Sequence, residues 1–393
     1  MRILVYEYAS GGGLAGRDVP ASLSREGAAM RAALVHDLAA MRCHHIVTTA
    51  DAGVRPVLPP GVEVAVVPAG DRAREAALDR LIAAADAVWL IAPESDRCLE
   101  RLAARVERQG KALLGPGSAA IARASDKARL PTRLGAAGVS HPATRAIGAR
   151  ADPARHACRI GYPIVVKPAR GAGSHGVSLA GSAASLDRAV AFARSATRGA
   201  VLLQHYVAGS AASVSLLADG GRAVPLAVNA QTIGSLPPFS YRGGVTPFDH
   251  PLAPQAIAAA VAACRALPEL RGFIGVDLIL TDSAAVVIEV NPRVTTAYLG
   301  VRAALDENVA ALVLAACRGD LPPAPRAVRQ VSFSASGRIC VTAPATSAHA
   351  ARTRTNPACL MATLPLSACT VSAESNDCLV PAHRVRAFVD RPR

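Results

Sequence analysis

Through the first third of the chain, short runs of consecutive apolar residues alternate with longer segments of helical period. Ile3–Tyr6, His45–Thr48, Val62–Val67, Ala87–Ile91 and Ala112–Leu114 read as buried strands. Leu23–Met41, Arg72–Ala85 and Cys98–Gln109 read as the helices between them. This alternation predicts, over residues 1–118, an α/β domain with a mostly parallel sheet covered on both faces. Residues 119–200 form a smaller unit, with a helix around Asp126–Ala137, a strand at Ile164–Lys167, a glycine loop, a strand at Val177–Leu179 and a helix at Ala183–Ser195. Over 201–325 strands dominate: Val201–Gln204, Ser213–Ala218, Ala223–Thr232, Phe273–Leu280 and Ala285–Val290, beside helices Gln255–Leu267 and Asp306–Cys317. Strands in neighbouring pairs with few helices predict an antiparallel, α+β arrangement. From 326 to 393 neither period is visible, and the Pro, Ser, Thr and Ala content predicts a low-order tail.

Composition changes this picture in three ways. The net charge of +14 invites a nucleic-acid partner, but the arginines are dispersed and aromatics make up only 3%, too few for stacking platforms. No nucleic-acid partner is therefore expected. No apolar run is long enough to cross a membrane, and the first one ends at Glu7, so no membrane partner is expected and the location is read as cytoplasmic. The nine cysteines show no C-x-x-C spacing, and Cys43-His44-His45 lacks ligand spacing, so neither zinc nor redox chemistry is supported.

Lysine is the informative residue type, because the chain has three lysines against forty arginines. A compact ammonium retained among so many guanidiniums marks places where a planar fork does not fit. Lys111 has no evident role. Lys167 ends an apolar strand and precedes "PARGAGSHGV". Glycines there let backbone N–H groups close over an anion, with Ser174 adding a hydroxyl and Lys167 supplying charge beneath. The alternative is a hairpin loop over a lysine with a buried stem. In "GFIGVDLILTDSAAVVIEVNPR", Glu289 and Asn291 lie two apart on one strand face, and a hairpin pairing brings Asp277 beside them. Two carboxylates and an amide oxygen suit Mg²⁺, with phosphates completing its shell; the alternative is a solvated surface hairpin. Arg293, just beyond, is placed to neutralise a phosphate or acyl-phosphate oxygen. Ser125 reads as a helix N-cap that sets Lys127 in the first turn, against the helix dipole, which favours a nearby anion. Gln204–Val207, before Gly209, reads either as an interdomain hinge facing an adenine edge or as an ordinary strand and turn. Gly11–Gly13, in "EYASGGGLAG", lacks the G-x-G-x-x-G spacing and serves either backbone approach to a ligand or a turn.

Taken in order, Lys127, K-P-x-x-G-A-G-S-H-G-V, Q-H-Y-V-x-G and the Asp277 to E-V-N-P-R segment resemble the ATP-grasp ligases over residues 1–320. The resemblance implies an ATP-grasp fold: an N-terminal parallel-sheet domain, a small lid domain, and a C-terminal antiparallel-sheet domain. ATP and Mg²⁺ are the implied cofactors, with two ions and Mn²⁺ as a substitute. Lys127, Lys167, Gly171, Gly173, Ser174 and Gly176 would contact phosphates, and Gln204, His205, Tyr206 and Val207 would frame adenine. Asp277, Glu289 and Asn291 would hold metal, and Lys167 and Arg293 would serve catalysis. Relatives often carry a ribose-binding acid where this chain has Ala211 and Ala212. Within the family, "VYEYASGGGLAG", "SVSLL" and "EVNPRVTTAYLGVR" look most like the tyramine–glutamate ligases of methanofuran biosynthesis and their bacterial relatives linked to tetrahydromethanopterin-dependent C1 metabolism. That likeness implies an acyl-phosphate route from a glutamate carboxylate and an amine to an amide. Glu7, Ser10, Tyr241, Arg242, Thr295, Thr296 and Tyr298 are the candidates for the substrate pocket. The implied partners are a small amino acid and an amine, with room for a homodimer. A D-alanine-type ligase and a non-catalytic nucleotide- or nucleic-acid-binding protein are the alternatives.

Overall fold

The computed structural model describes residues 1–344 except 18, 53, 172–174 and 235–238. Three sheets organise them. Strands β1 (Arg2–Glu7), β2 (His45–Asp51), β3 (Glu63–Val67), β4 (Ala87–Ile91) and β5 (Ala112–Leu113) form a parallel sheet in the order β3-β2-β1-β4-β5. Alternate residues of β1 serve its two faces, as strand geometry requires. Ile3 and Val5 pack on helix Ala21–Ala40 through Leu34, Val35 and Leu38. Leu4 and Tyr6 pack on helices Asp71–Ala84 and Cys98–Arg108.

The second sheet is antiparallel: β6 (Thr144–Ile147), β7 (Ile164–Pro168), β8 (Ser178–Ala180) and β9 (Val201–His205), in the order β6-β9-β7-β8. Helices Pro153–Ile160 and Ala183–Ser195 cover it through Ala157, Leu186, Val190 and Ala193. Here the sequence boundary at residue 200 moves. Val201–His205 pairs with β7 across five residues, so it belongs to the small sheet and not to the unit that follows.

The third sheet holds β10 (Ser210–Asp219), β11 (Ala223–Ile233), β12 (Tyr241–Thr246), β13 (Arg271–Leu280), β14 (Ala285–Asn291), β15 (Arg329–Ser334) and β16 (Ile339–Pro344). They run antiparallel in the order β14-β13-β10-β11-β12-β15-β16. Helix Ala253–Arg265 covers one face. Helices Ala297–Ala304 and Val309–Cys317 cover the other and share a core with helix Ala21–Ala40, which fastens the parallel domain to this sheet. The small sheet joins the large one by two chain crossings, Ala137–Ala143 before β6 and Tyr206–Gly209 after β9.

Three further expectations change. Residues 326–344 are not a low-order tail: β15 pairs with β12, and alternate residues Val331 and Phe333 are buried. Strand β12 escaped the reading because glycines replace its apolar residues. They are needed because a side chain at Gly243 would strike the Phe333 carbonyl, and one at Gly244 the Ala230 carbonyl. The helix expected over Asp126–Ala137 starts only at Leu130 and runs to Ala136; a separate helix, Ser118–Ala124, precedes it, and Ser125 closes that one rather than opening the second. The remainder of the expected tail, residues 345–393, lies outside the described residues.

Candidate active site

Asp277 on β13 and Glu289 on β14 are directly opposite each other, and Asn291 follows two residues on, opposite Gly275. Two like charges facing across a strand pair repel, and burial sharpens the repulsion. Burial raises the Asp277 carboxyl far above its ordinary range, and the neighbouring Glu289 charge pushes it further. Its oxygens accept hydrogen bonds from Gln231 Nε2 at 2.8 Å and Asn291 Nδ2 at 2.9 Å. Glu289 accepts from Lys127 Nζ at 2.6 Å. Burial opposes the Glu289 charge, but the Lys127 and Lys167 ammoniums outweigh it and hold the carboxyl below its usual value.

Lys127 lies in the turn between its two short helices, not in a first helical turn, and the turn presents it to Glu289. Burial works against its charge, yet Glu289, with Glu94 and Asp277 behind it, keeps the ammonium above the ordinary lysine range. Lys167 reaches the same charges from the other sheet. It sits on β7, 6% exposed, with no hydrogen-bond partner among the described residues. Burial pulls its pKa down to about 8, with Lys127 adding to the fall and Glu289 and Asp277 opposing it. An ammonium from the interhelical turn, another from the small sheet and two carboxylates from the large one thus share one buried region.

These donors fit Mg²⁺. Among the described residues no three His, Cys, Asp or Glu side chains form a closed metal cage. Asp277, Glu289 and the Asn291 amide instead make an open set of hard oxygen donors, which leaves coordination positions for phosphate oxygens and water. Two buried carboxylates in mutual repulsion are what a divalent cation relieves.

Glu94, in the turn after β4, accepts both arms of Arg293, from Nε at 2.8 Å and Nη2 at 3.0 Å. Burial disfavours the Arg293 charge, and Glu94 more than restores it. Thr296 donates its hydroxyl to Glu26 of helix Ala21–Ala40. Tyr241 lies close enough to Asp277 and Glu26 that both charges, added to burial, raise its phenol. Glu94, Glu26 and Gln231 were not singled out from sequence. The available signal was Glu94's position just beyond a buried parallel strand, where ligands of open α/β sheets gather.

Several candidate residues are occupied elsewhere. Glu7 accepts the backbone N–H groups of Ala9 (2.8 Å) and Ser10 (2.5 Å) and the Ser10 hydroxyl (2.6 Å), so both residues are used within the glycine turn. Arg31 props that turn through the carbonyls of Ser10, at 3.2 Å, and Thr49. Tyr298 is fully buried, edge-on to Phe273, and donates to Asp37 at 2.6 Å, which makes it a core residue rather than a pocket residue. Arg242 is exposed on β12, and the Thr295 methyl packs against Gly275. Gln204 donates to Thr144 at 3.0 Å. The backbone N–H groups of His205 and Tyr206 go to Ala143 (2.8 Å) and Pro163 (3.0 Å), so neither is free for a base edge. Val207 is exposed in part, in the second crossing. Gly171 lies against Pro168, and Gly176 (φ 76°) packs on Ala196. Gly173 and Ser174 lie outside the described residues. Ala211 and Ala212 stand in β10, and Ala212 is fully buried.

Comparison with known proteins bears on the domains and the fold. Residues 124–297 match the ATP-grasp domain family, and residues 44–121 match the pre ATP-grasp 3 domain. A tyramine–L-glutamate ligase of Methanocaldococcus jannaschii is 33% identical over 101 residues, covering 26% of this chain and 32% of that protein. The chain therefore spans about a third of the length of this curated relative. A D-alanine–D-alanine ligase of Frankia casuarinae is 32% identical over 203 residues, covering 47% of this chain and 52% of that one. The crystal structure of an ATP-grasp superfamily protein from Archaeoglobus fulgidus superposes with a TM-score of 0.62 at 23% identity, over 85% of this chain and 92% of that one. Residues 124–297 of this chain thus carry an ATP-grasp domain, preceded by a pre ATP-grasp domain, on the ATP-grasp fold.

Proposed function

We propose that the chain is an ATP-dependent carboxylate–amine ligase that forms ADP, phosphate and an amide. The observation that carries this reading is the convergence on Asp277 and Glu289 of Lys127, from the turn between two helices, and Lys167, from the small sheet. A carboxylate is a poor electrophile until one oxygen carries a leaving group. Its oxygen attacks the γ-phosphorus, the bond to ADP breaks, and an acyl phosphate forms. The amine lone pair then attacks the acyl carbon, phosphate departs with the C–O electron pair, and the amine proton passes to solvent. Positioning and charge stabilisation supply most of the acceleration in such chemistry. Lys127 and Lys167 hold the transferring phosphoryl oxygens, and Arg293, oriented by Glu94, faces the acyl phosphate. Asp277, Glu289 and Asn291 hold Mg²⁺, which neutralises phosphate charge when bound; two ions fit this reading, and Mn²⁺ is the substitute.

The finer assignment is glutamate as carboxylate and tyramine or a related amine as acceptor, in the biosynthesis of a one-carbon carrier cofactor. It is supported by the match to a tyramine–L-glutamate ligase. The second reading, a D-alanine-type ligase, is supported by the longer match to a D-alanine–D-alanine ligase. Both act on small molecules with no nucleic-acid or membrane partner, in the cytoplasm, alone or as a homodimer. No helix among the described residues is long and apolar enough to cross a membrane.

Incubation with ATP, Mg²⁺, L-glutamate and tyramine, followed by mass spectrometry, tests the assignment. The expected result is ADP formed in step with a glutamyl-tyramine amide. D-alanyl-D-alanine from ATP and D-alanine would select the second reading. ATP turnover with no amide from any carboxylate and amine pair would overturn both.

A further inference from the structure

A cavity of about 750 Å³ opens between helices Asp71–Ala84 and Cys98–Arg108. It lies on the face of the parallel sheet turned away from helix Ala21–Ala40. None of Lys127, Lys167, Asp277, Glu289 or Arg293 lines it. Its volume falls within the roughly 300–1,000 Å³ typical of small-molecule sites.

The floor is apolar and aromatic. Tyr6, Leu78 and Leu102 are 1%, 2% and 9% exposed. The Tyr6 side chain makes no hydrogen bond among the described residues, and its hydroxyl is open to the cavity rather than sealed in the core. The mouth is formed by the glycine turn after β1. Gly13 packs so closely on the Tyr8 ring that a side chain there would collide with it. The three glycines are explained by packing, Gly11 on Glu7 and Thr49, Gly12 on Val67 and Gly13 on Tyr8, and Gly13 lines the entrance to this cavity.

The charges around the cavity do not balance. Five guanidiniums line it against three carboxylates. Asp71 is shared by Arg17 and Arg74, and Glu75 and Asp79 are both taken by Arg105. Arg101 donates only to the Asp96 carbonyl, and Arg108 has no ion pair among the described residues. Arg101 and Arg108 are exposed at the rim and form no ion pair among the described residues, although Glu100 and Asp79 feel their charges, and a dianion would add direct partners to both.

We propose that this cavity is a second ligand site, which takes a flat organic dianion of mononucleotide size such as an aromatic phosphomonoester. The two unpaired arginines hold the anionic end, the Tyr6 hydroxyl meets a polar atom of the ring system, and Leu78 and Leu102 cover its flat body.

Titration of the full chain with 1-naphthyl phosphate, followed by calorimetry, tests the site. The wild type is expected to bind at a single saturable site. The double variant Arg101→Gln/Arg108→Gln is expected to weaken binding about tenfold or more, and Tyr6→Phe about threefold. Binding is expected to persist in Lys167→Met, because that residue belongs to the ligase centre. Inorganic phosphate, which has no apolar body, is expected to compete at least about tenfold more weakly than the probe. No saturable binding, full affinity in the double variant, loss of binding in Lys167→Met, or equal competition by phosphate would each overturn the proposal. If the double variant fails to fold, as judged by its circular dichroism melt, Tyr6→Phe decides, and undiminished affinity there overturns the proposal.

Discussion

Glu94 and Arg293, 199 residues apart, are joined by two parallel hydrogen bonds of 2.8 and 3.0 Å, so the parallel domain grips the end of the acidic hairpin. Both side chains are largely buried, at 3% and 15% exposure. Bidentate pairing fixes the plane of a guanidinium as well as its place. Glu94 is therefore a positioning residue for Arg293. Glu94→Gln should destabilise the fold by about 3 kcal/mol, because it leaves a buried guanidinium unpaired. It should also lower kcat more than it raises the KM for ATP. Chemical denaturation and steady-state ADP release check the two effects, and unchanged kcat in a folded variant would remove the positioning role.

Lys167 should show opposite effects on stability and activity. Its buried ammonium has no hydrogen-bond partner among the described residues. Lys167→Met should therefore stabilise the nucleotide-free protein by about 1–2 kcal/mol while reducing ADP formation at least about 100-fold. Urea unfolding and ATPase assays on the same preparation would show both. A variant that is active at the wild-type rate would remove Lys167 from the phosphate site.

The same lysine sets a pH dependence. Its folded pKa of about 8 lies below the ordinary value of 10.5, so between these two pH values the unfolded chain binds more protons than the folded one. Stability contributed through this group should rise with pH across that window. The rise should be absent in Lys167→Met, as denaturation at pH 7.5 and 9.5 would show. Phosphate binding should draw a proton back onto Lys167, so ATP binding near pH 8 should take up protons, measurable by calorimetry in buffers of different ionisation enthalpy.

Asp277→Asn should separate metal binding from folding. The amide removes a charge that faces Glu289, and the contacts with Gln231 and Asn291 can re-form by an amide flip. Stability should stay within about 1 kcal/mol of wild type. The Mg²⁺ concentration for half-maximal ADP formation should rise at least about tenfold. An unchanged Mg²⁺ requirement would remove Asp277 from the metal site.

Phe333 reports whether the last two strands belong to the folded body. It is 5% exposed and packs on Ala297 and Leu299. Phe333→Ala should cost about 3–4 kcal/mol. A loss below about 0.5 kcal/mol would mean that β15 contributes little to the fold.

The grouping of the candidate residues was legible in the chain because chemistry and strand period coincide there. Asp277, Glu289 and Asn291 are polar residues on one face of otherwise apolar strands, and Lys167 ends a buried one. Glu94, Glu26 and Gln231 were not legible, since each gains its role from a partner 199, 270 or 46 residues away, and no local period marks such a meeting. Glu7, Ser10 and Tyr298 misled for the converse reason: they are polar residues near glycines or ligand strands whose hydrogen bonds are satisfied by their own turn or core. Strand β12 was hidden by the glycines that let its neighbours close in.

The two crossings into the small sheet are themselves tied together. Ala143 of the first accepts the His205 N–H at the mouth of the second, and Ser140 accepts the Val287 N–H of the large sheet. Lys167 belongs to the sheet held by these two tethers and Glu289 to the sheet they are tied to, so the tethers set how the ammonium and the carboxylate face each other.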